Sequence, residues 1–316
     1  MVYIGIDVGG TGVKAGIVDE AGKIVSHGSM PTVLTDTPDK QISDMARFAL
    51  ELLEKSEYTL EDVASVGVGV PGIADQKTGE IIFCTNLGWH HVPFRQIFQR
   101  VLDKPVYIDN DATVAGLAEA VAGVSAGADS SVFITLGTGV GGGIVLKGKV
   151  WSGFHGTGSE IGHMILKMDG EPCTCGNRGC LERYCSATAI IRMAREMLPD
   201  NPDSSIMTTC GGDLSKVNAR MVIDAARTGD PVGESVFRRY VYYLSQAISN
   251  ICNFLDPEVI VLGGGVSNAG AFLLDAVRKE VPKYCLFKDM EYARIELAKL
   301  GADAGMIGAA MLGQRQ

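Results

Sequence analysis

One nine-residue pattern occurs twice in this chain: GTGVKAGIV at Gly10–Val18 and GTGVGGGIV at Gly137–Val145, which differ only at their fifth and sixth positions. Each copy follows a β-rich apolar run, VYIGIDV in the first case and SVFITL in the second. Apolar runs broken by Gly pairs read as hairpins, so each copy predicts a strand, a glycine turn and a second strand. The copies lie too far apart for a solenoid, whose period is roughly 20–50 residues. A duplicated lobe, each carrying one glycine-rich hairpin, accounts for them. The length of 316 residues points the same way, because it exceeds what one hydrophobic core usually serves.

Other segments fit a compact α/β protein. KIVSHGSM continues the first hairpin as a third strand, and a helix is expected from Asp39 to about Lys55, with Ile42, Met45, Ala46, Leu50 and Leu53 at helical spacing. VASVGVGV reads as a buried strand ending at Pro71-Gly72, and PVYIDN as a short strand leading into the alanine-rich helix DATVAGLAEAVAG. A longer helix is expected over Pro231–Leu255, with Val236, Phe237, Tyr240, Val241, Leu244, Ile248, Ile251 and Leu255 on one stripe. DPEVIVLGGGVSNAG reads as a buried strand running into glycines with a helix after it, residues 196–215 as a polar surface loop, and the Ala/Gly/Met-rich tail as a tightly packing helix.

Composition excludes several function classes. A hydrophobic content of 46% against 21% charged residues is that of a folded globular chain. The net charge is −9 with no basic stripe, which argues against nucleic acid as a partner. MVYIGIDVGG has neither the basic region nor the apolar core of a secretory leader, and runs such as VIVLGGGV are too short to span a bilayer, so no membrane role is expected. A cytoplasmic location follows as the expectation, and there thiols stay reduced and clustered cysteines favour metal over disulfide.

Four sites carry chemistry. Asp7-Val8-Gly9-Gly10-Thr11 and the matching Gly137-Thr138-Gly139 offer bare backbone N–H groups and hydroxyls suited to anionic oxygens. An Asp at the strand end can hold Mg²⁺ through waters. A single such turn could be an ordinary hairpin; two matching copies fit opposed grips on a polyphosphate. Gly264 and Gly265, after the strand EVIVL, are either a further close approach for a base or ribose or a plain strand-to-helix turn. At Asn110-Asp111 the local reading is a helix N-cap. The functional one is a carboxylate that takes the proton of an attacking hydroxyl during phosphoryl transfer. Finally, His163, Cys173, Cys175 and Cys180 make a Cys₃His set of the kind that closes a tetrahedral zinc shell, leaving no open position for water. Unligated thiols or a Cys173–Cys175 bridge are the competing readings. Glu160, three residues before His163, shares its face if that segment is helical.

In these motifs the chain resembles the ROK family of sugar kinases, within the hexokinase–actin superfamily. The likeness rests on the N-terminal DxGGT, Asn-Asp before an Ala-rich helix, LGTGVGGGI, Glu-x-Gly-His, CxCGxxGCxE and the late GGGVSNAG, and it spans essentially the whole sequence. The resemblance implies an α/β, two-lobed actin/hexokinase-like (ribonuclease H-like) fold with duplicated βββαβα lobes and an ATP cleft between them. The expected lobes are residues 1–112 plus 301–316, and residues 113–300. It implies ATP-dependent phosphorylation of a hexose, most like the bacterial glucokinases of the family. Asp111 would be the base, Gly72, Asn86, Asn110, Asp111, Glu160, His163 and Glu182 the sugar site, and Asp7, Gly9–Thr11, Gly137–Gly139, Gly264 and Gly265 the ATP and Mg²⁺ site. His163, Cys173, Cys175 and Cys180 would hold a structural zinc, pinning the segment from Glu160 to Glu182. A homodimer is the family expectation. Kinases of N-acetylglucosamine, N-acetylmannosamine, fructose or allose are the neighbouring alternatives. A sugar-responsive transcriptional regulator is a remote one, since the first strand begins by Val2 and leaves no room ahead of it for a DNA-binding domain. Two positions depart from the family pattern: Ser159 stands where Gly often precedes Glu-x-Gly-His, and Thr113 where Asn often follows Asn-Asp-Ala.

Overall fold

The computed structural model describes residues 1–286 and 288–314, and its chain divides into two compact units. The first comprises Met1–Phe133, Gly142–Ser159 and the stretch from Ala298 on; the second comprises Ile134–Gly141 and Glu160–Leu297. These units divide the chain at other points than the lobes expected from sequence, and the reason is the helix after Asn110, which packs within the first unit.

The first unit is built on β1 (Val2–Val8), β2 (Gly12–Asp19) and β3 (Ile24–Pro31), followed by helix α1 (Pro38–Glu54) and β4 (Val63–Val70). Then come β5 (Ile73–Asp75), β6 (Glu80–Cys84), β7 (Trp89–Val92), helix α2 (Phe94–Gln99), β8 (Val106–Asn110) and helix α3 (Asp111–Ala122). The main sheet has the order β3-β2-β1-β4-β8, with β1–β2 and β2–β3 antiparallel and β4 and β8 running parallel to β1. The central strands β1 and β4 are buried almost throughout, as their largely apolar sequences require, whereas exposure alternates along the edge strand β3. Helix α1 begins where Thr37 accepts the Lys40 N–H and Pro38 takes the first turn. Strands β5, β6 and β7 form a small separate sheet, and the buried Trp89 there donates its indole N–H to Gln41 Oε1 on α1 at 2.9 Å.

Strands β9 (Ser130–Leu136), β10 (Val140–Leu146) and β11 (Lys149–Val150) follow, and the chain passes from one unit into the other within this hairpin. The second unit then carries the helices α4 (Glu182–Cys185), α5 (Ala187–Met197), α6 (Ser205–Thr209), α7 (Ala219–Arg227) and α8 (Pro231–Leu255), strand β12 (Val259–Gly263), helix α9 (Ala271–Glu280) and β13 (Arg294–Leu297). The second sheet runs β11-β10-β9-β12-β13. Numbered from its own first strand this is the order 3-2-1-4-5, identical to that of the first sheet, so the repeat seen in nine residues extends to a whole strand topology.

One element differs from expectation. Residues 196–215 are not a surface loop throughout, because α6 lies within them and buries Ile206 and Cys210. The cause is Asp230, whose carboxylate accepts from Ser204, from both the N–H and hydroxyl of Ser205, and from the Val232 and Gly233 N–H groups that open α8. One buried acid thus caps α8 and anchors the start of α6. The tail forms helix α10 (Ala304–Met311), which returns to the first unit and packs on β1, β4 and α3. Its small residues let backbones touch: a Cβ at Gly67 would overlap the Ala309 carbonyl, and one at Gly308 would overlap that of Val114. Among the described residues no helix is long and apolar enough to cross a membrane.

Gly67→Ala forces apart a backbone contact that no side-chain rotation can relieve, and a loss of about 3 kcal/mol is expected in urea unfolding. An unchanged midpoint would show that α10 is not seated as described.

Candidate functional site

In the first unit, the β1–β2 turn is closed by the Gly9 N–H to Gly12 O at 2.9 Å and held from outside by Thr32 Oγ1 to Gly9 O at 2.7 Å. Asp7 faces Lys14 across the strand pair, and its carboxylate lies against Gly305 in the first turn of α10, where a Cβ would come within 2.6 Å of it. Burial raises the Asp7 pKa, and Lys14 partly offsets this. A helix N-terminus and a lysine therefore flank the carboxylate expected to face Mg²⁺. Asn86 lies beside Gly10, within 3.4 Å of where its Cβ would be.

Asn110 and Asp111 sit at the carboxyl end of the parallel strand β8, where α3 begins. Asn110 is the N-cap: its Oδ1 accepts from Ala112 N at 2.9 Å and Thr113 N at 3.4 Å, while its Nδ2 donates to Gly72 O at 3.2 Å. That leaves one amide hydrogen for a ligand. Asp111 Oδ1 accepts from Ala112 N at 2.8 Å, which fixes the carboxylate on the first turn. Capping and chemistry are thus compatible at these two residues. Gly72 belongs with them, since a Cβ there would overlap the Phe83 carbonyl and displace the backbone that Asn110 grips.

Behind this pair stands Asp109, buried at 3% exposure. Its Oδ1 accepts the Asn110 N–H at 2.7 Å, and its Oδ2 accepts from Ser152 Oγ at 3.0 Å and from Gln76 Nε2. Burial pushes its carboxyl up to about 6 despite those three donors. On the far side of the same turn, Thr113 and Ser159 share a hydrogen bond of 3.0 Å.

The second unit holds the other expected residues. The Gly137–Gly139 turn is tied down at its carbonyls, Gly137 O accepting the Ala187 N–H and Thr138 O the Thr188 hydroxyl, each at 2.8 Å, at the start of α5. Glu182 lies against Gly139, and its Oε2 accepts the Val140 N–H at 3.1 Å. The Val140 carbonyl in turn packs on Gly162, where a Cβ would overlap it. Glu160 precedes the short turn Ile161–His163 and is exposed, and the His163 N–H returns to its carbonyl at 3.1 Å. The backbone on both sides of Val140 in the glycine hairpin is therefore met by both ends of the Glu160–Glu182 segment.

The middle of that segment folds on itself: Leu166 N reaches Gly179 O at 2.9 Å, Leu181 N reaches Met164 O at 2.8 Å, and Cys173 N reaches Asn177 O at 2.8 Å. This gathers His163, Cys173, Cys175 and Cys180, whose ligand atoms all lie within 4.8 Å of one another. Cys173 Sγ is 3.7 Å from His163 Nδ1, and Cys175 Sγ is 3.7 Å from Cys180 Sγ. Those spacings match the edges, about 3.6–3.8 Å, of a tetrahedron around zinc with ordinary Zn–S and Zn–N bonds. All eight cysteines are free thiols, so the bridged reading of the cluster does not hold. Burial and the neighbouring thiols push Cys180 up to about 12, while the Asn177 N–H draws Cys175 down to about 7. A dication is what lets three crowded thiols ionise together, and the residues fit one.

Gly264 has a structural reason of its own: its φ is +82°, and a Cβ would come within 2.6 Å of the Leu136 backbone. Gly265 has open space instead. It borders a cavity of about 570 Å³ whose other walls are Asn218, Arg220, Ile223, Asp224 and Arg227 of the α7 segment and Asn268. The α7-segment residues were not singled out from sequence. Gln76 and Ser152 were equally hidden, because their partner Asp109 is 33 and 43 residues away.

Comparison with known proteins gives the fold family. The fold is that of the ROK hexokinases: a ROK hexokinase from Thermus thermophilus superposes with a TM-score of 0.85 at 31% identity, covering 99% of this chain and 97% of that one. A ROK family glucokinase from Streptomyces griseus, solved in complex with glucose and AMPPNP, gives a TM-score of 0.83 at 32% identity over 100% of both chains. A glucokinase from Halalkalibacterium halodurans is 38% identical over 99% of this chain and 95% of its own length. Residues 3–316 match the ROK family, and the chain belongs to it.

Asp109 also sets a pH dependence. Its carboxyl has a higher pKa in the fold than its ordinary 3.8, so the fold favours the neutral form, and stability is lost as pH rises from about 4 to about 6. Relative to Asp109→Asn, the native protein should lose up to about 3 kcal/mol across that window and no more above it. Parallel stability–pH curves for the two proteins would contradict this.

Proposed function

We propose that this protein is an ATP-dependent hexose kinase whose sugar is glucose, converted to glucose 6-phosphate. The observation that carries the reading is the full-length likeness to a ROK glucokinase bearing glucose and an ATP analogue, with 32% identity over both chains. The local chemistry supports it. Asp111 is a carboxylate fixed at a helix start and at the end of a parallel strand, a common place for catalytic groups in α/β proteins.

In this reading the C6 hydroxyl of glucose gives its proton to Asp111 as its oxygen attacks the γ-phosphorus, and ADP departs with the electrons of the broken P–O bond. Glu160, Glu182 and His163 take sugar hydroxyls, as do the remaining Asn110 amide hydrogen and Asn86. Carboxylates suit this task because each accepts several hydroxyl protons. The two glycine turns offer backbone N–H groups to the phosphates, and Asp7 would hold the Mg²⁺ of the nucleotide, which would neutralise phosphate charge. The cavity beside Gly265 is of a size and polarity to take the adenosine. His163, Cys173, Cys175 and Cys180 would hold a zinc ion that supplies no chemical step and would fix the segment carrying Glu160, His163 and Glu182. A cytoplasmic homodimer belongs to the same reading, supported by the family likeness alone.

Asp111→Asn should cut kcat by about 10²–10⁴-fold while the glucose KM stays within a few-fold. Turnover near that of the native enzyme would remove Asp111 from its assigned role. In a coupled assay, glucose should give the highest kcat/KM against N-acetylglucosamine, N-acetylmannosamine, fructose and allose. A preference for any of those sugars would keep the chemistry and replace the substrate.

A further inference from the structure

The hydrogen bond from Thr113 to Ser159 joins two hydroxyls of little obvious use. Thr113 is 1% exposed and Ser159 8% exposed, and their oxygens are 3.0 Å apart. A buried hydroxyl without a partner is costly, so each side chain here depends on the other. Both also stand in significant places. Thr113 lies in the first turn of α3, two residues after Asp111, with its own N–H accepted by Asn110 Oδ1. Its backbone is further pressed by Gly143, where a Cβ would come within 3.0 Å of Thr113 Cα. Ser159 is the last residue of its stretch of the first unit, and Glu160 follows it directly. The pair is therefore a tether between the turn that carries Asp111 and the residue from which the Glu160 segment departs.

We propose that Thr113 and Ser159 are a positioning pair for the sugar: their bond holds the start of the Glu160 segment against the Asp111 turn and so sets the affinity for hexose. Neither residue is assigned to touch substrate. The inference rests on the reading of this protein as a glucokinase with Asp111 and Glu160 at the sugar.

The test is a cycle of Thr113→Val, Ser159→Ala and the double variant, with Thr113→Ser as the conservative control. For each, kcat, glucose KM, ATP KM and Tm are measured. Each single variant should raise glucose KM by about fivefold to tenfold with ATP KM unchanged, and the double variant should raise it no further than the worse single one. Tm separates the effect from plain destabilisation. Each single variant strands a buried hydroxyl and should lower Tm, whereas the double variant, with both hydroxyls gone, should recover Tm and keep the raised glucose KM. Thr113→Ser should behave as the native enzyme. Glucose KM that stays unchanged, that follows Tm back to the native value in the double variant, or that adds across the cycle would overturn the proposal. If the native enzyme itself shows no glucose-dependent ADP formation, the glucokinase reading falls instead, and the two failures are distinct.

Discussion

The backbone of Val140 is held from two directions, and the arrangement of the second unit's glycine turn depends on it. Its N–H donates to Glu182, and its carbonyl abuts Gly162, a position that tolerates no side chain. Glu182 and Gly162 are the two ends of one excursion of the chain, and the excursion is closed on itself by the Cys₃His cluster between them. The Cys₃His cluster, the ends of the Glu160–Glu182 segment and the glycine turn are thereby linked through the backbone of Val140. The α5 N-terminus secures the same turn from its other side, through the carbonyls of Gly137 and Thr138. Backbone N–H groups offered to a phosphate are useful only if the turn keeps its shape without the ligand, and this turn is held by contacts outside itself.

The first unit solves the corresponding problem differently. Its glycine turn is steadied by Thr32, and its acidic residue is backed by the start of α10 rather than by a metal-closed segment. Asn110 and Asp111 take their geometry from a helix cap, and Asp109 behind them anchors the Asn110 N–H. Two copies of one strand order thus carry different supports. The common topology supplies a turn at the same place in each sheet, and the later insertions decide what that turn can bind.

Features carried by local pattern were legible in the sequence. The nine-residue repeat announced both hairpins, the apolar stripe of α8 ran over the residues expected, and the spacing of Cys173, Cys175 and Cys180 with His163 announced the cluster. What stayed hidden depends on contacts distant in sequence. Helix α6 looked like a loop because its anchor, Asp230, lies 25 residues beyond Ser205. Gln76 and Ser152 have no signal of their own until the fold brings them to Asp109. Trp89 is buried on a small sheet that its WHHV strand does not suggest, and it is satisfied by Gln41 from another helix. The cavity wall on α7 had the same fate, since amphipathic spacing reports a packed face and is silent about the other. Gly264 was legible as a glycine turn, but the contact with the Leu136 backbone that requires a glycine there was not.

The central claim is that the Cys₃His metal shell fixes the glycine turn through Glu182. Amide hydrogen exchange at Val140 measures this most directly, in the native protein and after zinc is removed by chelation or by Cys175→Ser. Native protein should contain about one zinc per chain, and its loss should speed exchange at Val140 and across the Gly139–Gly143 stretch while the β1–β2 turn of the first unit keeps its protection. Unchanged protection at Val140 in a folded, zinc-free protein would contradict the account.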